Sequence, residues 1–281
     1  MSNNFSELTF DNKTTKPTSD HASSSSGIDK KLRQYDKMQN EFVNIASHEI
    51  KTPVQSILTY SELLYANPDE IHPEYIEAIY RNALRLQRLS KNLLDIAKME
   101  NHTLILKNEK FDINDLVLSI IQDFVMHVHN SGIKTKNIQF LYSPKGHIFV
   151  YADKDRITQV ISNLIDNAFK FTQRGSISIS VTRQDGRIIV SVDDSGIGID
   201  TRIAPRLFSK FATSSENGIG LGLYIAKNIV EAHDGKIWAQ NNHNKNGVTI
   251  SFEIPLKTHR EDLVNRRCSS KVLNIGNQYE T

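Results

Sequence analysis

Between Phe42 and Ile57 the stretch FVNIASHEIKTPVQSI, with Leu64 just beyond it, places Val43, Ile50, Ile57 and Leu64 seven residues apart, and Ala46 and Val54 fall between them. Apolar residues repeated on that period commit a segment to one long helix with a single buried seam. If Val43 takes the first place of the heptad, His48 takes the sixth, the place farthest from the seam. The commonest state of a helical histidine, a hydrogen-bonded core residue, therefore fits badly. Glu49 stands beside it, and Thr52, four residues on, shares its face one turn away. A zinc-protease helix needs a second histidine at that fourth place, and threonine occupies it.

The helix is expected from about Lys31 to about Tyr65, where ANPDEIHP breaks it with two prolines. A second helix follows, with Ile79, Leu86 and Leu93 seven apart and Ile76, Ala83 and Ala97 at the other seam position. Two helices with one apolar stripe each leave a hairpin half covered. A second copy completes a four-helix core, so the pattern predicts a homodimer through residues 31–100.

Composition limits what else the chain can be. Thirty-four Lys and Arg stand against 32 Asp and Glu, and 38% of residues are hydrophobic. That balance gives no reason to expect nucleic acid or an anionic membrane as the main partner. No run approaches the roughly 18 apolar residues of a membrane span, and the start lacks a signal pattern. The single cysteine, Cys268, sits in a polar tail and fits a reducing compartment. The expectation is a cytoplasmic protein, or a piece of a larger receptor. Residues 1–28, rich in Ser, Thr and Asn, read as a disordered lead, and residues 258–281 as a flexible tail.

After a polar link, residues 108–257 read as an α/β region. Asp112 is expected to cap one helix, with strands at 138–142 and 147–151 and a helix from Asp153 to Phe171. Two alternating runs around Asp185 and Gly186 form a hairpin. A helix from Leu221 to Ala232 and two strands, KIWAQN and GVTISFEIP, complete the region. The order predicts one mixed sheet with helices on a single face, and an α+β protein as a whole.

Four motifs lie in this region. In QVISNLIDNAFKFT, Asn163 and Asn167 are four apart on a helix and point the same way, so two amide oxygens can ligate Mg²⁺ while Lys170 reaches phosphate oxygens. Asp194, Gly196 and Gly198 end a strand as DSGIG, where a carboxylate can accept from an exocyclic amine such as adenine's and glycines admit close approach. Leu207 to Phe211 supplies a phenylalanine pair. Gly218, Gly220, Leu221 and Gly222 lead into a helix whose N-terminus favours phosphate. Each motif alone is weak, since a turn, a solvated asparagine pair or a packed loop would explain it.

In this order and spacing, preceded by SHEIKTP, they resemble sensor histidine kinases over roughly residues 36–256. The resemblance implies a helical phosphoacceptor hairpin followed by a two-layer α/β sandwich, the ATP-binding fold shared with gyrase, heat-shock chaperone and MutL proteins. It implies that His48 accepts a phosphoryl group from ATP, that Glu49 is its acid-base partner, and that Thr52 positions water when phosphate is removed from a partner protein. It implies an ATP site with Mg²⁺ at Asn163 and Asn167, with Phe171 beside Lys170, and a response regulator receiver domain as recipient. In the related ATPases a glutamate lies four residues before the magnesium asparagine; Asn163 stands there, so ATP is kept for another nucleophile. Two departures stand out: only ATSSEN separates Phe211 from Gly218, a short lid, and Ile199-Asp200 follows DSGIG where a proline is common. Two other readings compete, a regulator phosphatase using Thr52 and a non-catalytic ATP-binding scaffold.

Overall fold

The computed structural model describes residues 20–67, 72–130, 137–212, 220–242 and 246–256. Residues 1–19 of the expected lead, the whole tail with Cys268, most of the lid segment and Gly218 lie outside the described residues. The chain divides into two compact units, Met1–Thr52 and Pro53–Thr281.

Helix α1 (Asp20–Ala66) runs across that division. It starts at Asp20, not near Lys31, because a helix nucleated in the heptad segment extends through SSSSG despite its weak propensity. Within the first unit Ala46 is buried, whereas Val43 and Ile50 remain 58% and 37% exposed, so the expected seam is uncovered there in the single chain. Pro53 lies inside α1 and is buried. Its nitrogen cannot donate to the Glu49 carbonyl one turn back.

In the second unit α2 (Pro73–Glu100) begins with proline at its first position, where the missing N–H costs nothing. The rings of Tyr60 and Tyr75 meet at 5.4 Å near the hairpin turn. The predicted stripe of α2 is only partly covered: Ile79, Leu86 and Leu93 are half-buried, and Ile76, Ala83 and Ala97 are exposed. The fully buried stripe is a different one, Leu89, Ile96 and Met99 with Asp95. It belongs to the face that packs toward the α/β region.

That region contains β1 (Asn108–Asp112), α3 (Ile113–Asn130), β2 (Ile138–Tyr142), β3 (Phe149–Asp153), α4 (Lys154–Phe171), β4 (Gly175–Gln184), β5 (Arg187–Asp194), α5 (Gly222–Ala232), β6 (Lys236–Asn241) and β7 (Val248–Pro255). Five strands form one sheet in the order β2-β4-β5-β7-β6, with β2 parallel to β4 and the other pairs antiparallel. The expectation of a single sheet needs correction, since β1 and β3 pair separately as a two-stranded antiparallel ribbon. Asp153 holds that ribbon to α4: its Oδ2 accepts from Lys107 N at 2.7 Å while its Oδ1 caps the helix through Arg156 N at 3.0 Å.

The core lies between the five-stranded sheet and the helices. Ile157, Val160, Ile161, Leu164, Ile165 and Ala168 recur at helical spacing on α4 and are all buried. Ile225, Ala226, Ile229 and Val230 do the same on α5, and Ile188, Val190 and Val192 of β5 and Phe252 of β7 are buried as well. At the far end of α5 buried His233 receives the Asp153 N–H on Nε2 at 3.1 Å, and its Nδ1 faces the Ile229 carbonyl at 2.8 Å. The neutral tautomer with the proton on Nδ1 satisfies both bonds. The β4–β5 hairpin turns at Asp185 and Gly186, both with left-handed φ (48° and 71°), as a two-residue primed turn requires.

Candidate phosphoacceptor and nucleotide sites

In the first unit the His48 side chain is 79% exposed, while Glu49 is mostly covered at 17%. Nδ1 of His48 and Oε1 of Glu49 are 4.0 Å apart, beyond hydrogen-bond length, although they remain within electrostatic reach. Adjacent helical residues diverge by more than a quarter turn, and that divergence is the reason for the gap. Thr52 Oγ1 donates to the His48 backbone carbonyl at 3.2 Å, one turn back on the same exposed face.

In the second unit a cleft of about 900 Å³ brings most of the sequence-predicted residues together. Its walls include Asn163, Asn167, Lys170 and Phe171 from α4, Asp194 at the end of β5 and Gly198 beyond it, and Gly220, Leu221 and Gly222 at the start of α5. The burial pattern of β5 alternates strictly, and Asp194 falls on the buried side with Ile188, Val190 and Val192. The strand therefore delivers a carboxylate that is only 4% exposed to the cleft floor. Asp194 Oδ1 accepts from Gly196 N at 2.8 Å.

Glycine is required at two of these positions by close approach. A Cβ on Gly196 would lie 2.6 Å from the Phe171 carbonyl oxygen, so this turn is packed directly on the end of α4. Gly220 takes φ +69°, and a Cβ there would lie 2.6 Å from the Phe211 backbone. Phe211 itself has φ +60°, an uncommon conformation for a bulky residue. Gly218 belongs to the undescribed segment.

The donors suit a hard cation and an anion side by side. Asn163 Nδ2 donates to the Gly222 carbonyl at 3.1 Å, which fixes the amide and leaves its Oδ1 as an available oxygen ligand. Asn167 lines the same cleft one turn on. Two neutral oxygens on one helix face fit Mg²⁺, which keeps several other ligands from water and phosphate. Lys170, half-buried with its Nζ 5.3 Å from the Phe171 ring, has its pKa lowered by desolvation.

Several cleft residues were not singled out by motif. Arg81, Arg85, Arg88 and Leu89 of α2 line it, as does Asp166 between the two asparagines. The i, i+4, i+7 spacing of the arginines was visible, but nothing in it says which surface they face. Desolvation raises the pKa of Asp166 against the opposing pull of Arg88 and His127. Behind the Asp194 turn, Thr249 Oγ1 and Asn242 Nδ2 both hold Asp193 Oδ1 at 3.0 Å.

Residues 38–102 match the family described as the His Kinase A (phospho-acceptor) domain, and residues 152–258 match the histidine kinase-, DNA gyrase B-, and HSP90-like ATPase family. The sensor histidine kinase WalK of Bacillus subtilis is 34% identical over 241 residues, covering 81% of this chain and 38% of WalK. Staphylococcus aureus sensor protein kinase WalK is 32% identical over 236 residues, with 79% and 38% covered. The chain thus spans well under half the length of these curated relatives. Among solved structures, histidine kinase ThkA in complex with response regulator protein TrrA has a TM-score of 0.59 at 28% identity, covering 83% of this chain and 66% of that one. Acinetobacter baumannii histidine kinase AdeS, at 23% identity, shares the fold with a TM-score of 0.60, covering 75% of this chain and 98% of that one. With both characteristic families matched in order and relatives of one kind along most of its length, this chain belongs to the sensor histidine kinases.

Proposed function

We propose that the protein is an ATP-dependent protein histidine kinase that phosphorylates itself on His48 and passes the phosphoryl group to an aspartate of a response regulator receiver domain. The observation that carries the reading is an exposed histidine in a phosphoacceptor-type helix, in the same chain as a cleft that gathers two amide oxygens, a lysine and a buried carboxylate. Residues 31–100 form the dimerisation and phosphoacceptor part, and residues 108–257 the ATP-binding part.

In this mechanism Asp194 accepts from the adenine amine, and the turns at Gly196 and Gly198 let the base approach the backbone. Asn163 and Asn167 would hold Mg²⁺, whose charge would offset that of the phosphates. Lys170, with the Gly218 to Gly222 segment and the α5 N-terminus, positions the phosphates; such placement and charge stabilisation supply most of the catalysis in phosphoryl transfer. Nδ1 is the His48 atom recorded near Glu49, so a small side-chain rotation would let Nδ1–H donate to the carboxylate. Nε2 then attacks the γ-phosphorus: a P–N bond forms, the P–O bond to the β-phosphate breaks, and ADP leaves with the electron pair. The exposed Thr52 hydroxyl, one turn away, suits the orientation of water for the reverse duty, dephosphorylation of the regulator.

The uncovered Val43 and Ile50 support a homodimer through residues 31–100. Sedimentation should give about twice the 31.9 kDa chain mass, and Ile50→Glu should shift it to monomer; a monomeric parent would rule the dimer out. Among the described residues no helix is long and apolar enough to cross a membrane, and the reading places these domains in the cytoplasm. Transfer is tested by adding receiver-domain proteins to ³²P-labelled chain. The expected result is alkali-labile label on the receiver, lost with His48→Gln; label that reaches the receiver from the His48→Gln chain would refute the role of His48.

A further inference from the structure

The second helix of the hairpin also reaches the nucleotide cleft. Arg81, Arg85 and Arg88 share one face of α2, and all three line the cleft that contains Asn163, Asn167 and Lys170. The register of α2 is fixed by a buried anchor. Asp95, only 4% exposed, accepts from Arg156 Nη1 at 2.8 Å and Gln159 Nε2 at 2.9 Å, both on the first turns of α4. Arg88 lies seven residues before Asp95, and Asn163 and Asp166 lie seven residues after Arg156 and Gln159. Seven residues are about 10 Å of helix. Arg88 and Asn163 thus lie about equally far along their helices from the anchor, and both line the cleft. The electrostatic effect of Arg88 on Asp166 agrees with that placement.

The charges of the cleft do not all face the phosphate region. Glu77 lies 3.8 Å from Arg81, Asp200 pairs with Arg202, and Asp194 turns Oδ1 to Gly196 N. Beside the asparagines the cleft is lined by Arg85, Arg88, His127 and Lys170, with Asp166 among them. A nucleoside triphosphate carries more negative charge than one Mg²⁺ neutralises, and guanidinium groups match phosphate geometry with two donors each.

We propose that Arg85 and Arg88 of α2 bind the polyphosphate of the nucleotide, so that the cleft is completed by the hairpin and is not built by the α/β region alone. The proposal rests on the reading of the cleft as an ATP site. Its consequence is that nucleotide grips α2 as well as α4, and that α2 docking raises ATP affinity.

Calorimetric titration of the full chain with Mg-ATP and with AMP tests it, using the parent, R85Q/R88Q, R85K/R88K and, as a control on the same helix but outside the cleft lining, K91Q. Loss of Arg85 or Arg88 to glutamine should weaken ATP about tenfold each, with AMP little changed, partial recovery with lysine, and K91Q near the parent. The loss should shrink as salt is raised. An unchanged ATP affinity in R85Q/R88Q overturns the proposal, and so does an equal weakening of ATP and AMP, which would place the effect in the adenine pocket or the fold. A parent chain that binds no ATP overturns the ATP-site reading itself, a result distinct from either.

Discussion

A methyl group at position 196 meets two atoms at once. It would lie 2.6 Å from the Phe171 carbonyl oxygen and 2.9 Å from Asp194 Oδ1, and the first is backbone and cannot swing aside. Gly196→Ala should therefore destabilise the domain by about 1–3 kcal/mol and displace Asp194, weakening ATP by roughly tenfold or more. Thermal melting with nucleotide titration measures both, and a variant with parental melting and affinity would show that the turn is not packed as described. This residue illustrates what was legible at the smallest scale. DSGIG reads as a turn with a carboxylate, but the reason its middle residue must be glycine is the end of α4, a segment far away in sequence. Likewise the heptad phase correctly predicts an exposed His48, yet phase says nothing of the 4.0 Å that separates it from Glu49.

At the scale of elements, helix α4, the primed hairpin and both terminal strands follow directly from period and turn chemistry. The reading failed where partners decide. Asn108 to Asp112 is polar and short, and it becomes a strand only because β3 pairs with it. In α2 two apolar stripes with the same seven-residue interval overlap in the sequence, and periodicity alone does not say that Leu89 and Ile96 are the fully buried ones. Asp95 was invisible for the same reason, since an acidic residue in a surface helix is ordinarily solvated. Its removal exposes the logic of the docking. Asp95→Ala should cost about 3 kcal/mol in urea unfolding, because Arg156, 19% exposed at its side chain, loses its carboxylate and keeps only Gln159 Oε1 at 2.8 Å. Asp95→Leu combined with Arg156→Met should recover most of that loss. A single substitution within about 0.5 kcal/mol of the parent would mean that the pair does not anchor α2.

At the scale of the molecule, the sequence carries two features in separate stretches: a histidine offered to solvent on a long helix, and a cleft that gathers two asparagines, a lysine and a buried carboxylate. The order of motifs was enough to connect them, whereas the division of the chain at Thr52 and Pro53, inside one continuous helix, was not foreseeable from heptads that run straight through it. The central claim is that the two features meet in one reaction. Incubation of the intact chain and of His48→Gln with Mg²⁺ and γ-³²P-labelled ATP, followed by acid and alkali treatment of the protein, tests it directly. The account predicts acid-labile, alkali-stable label on the intact chain and none on His48→Gln; label of undiminished amount on His48→Gln, or a chain that binds ATP and acquires no label, would contradict it.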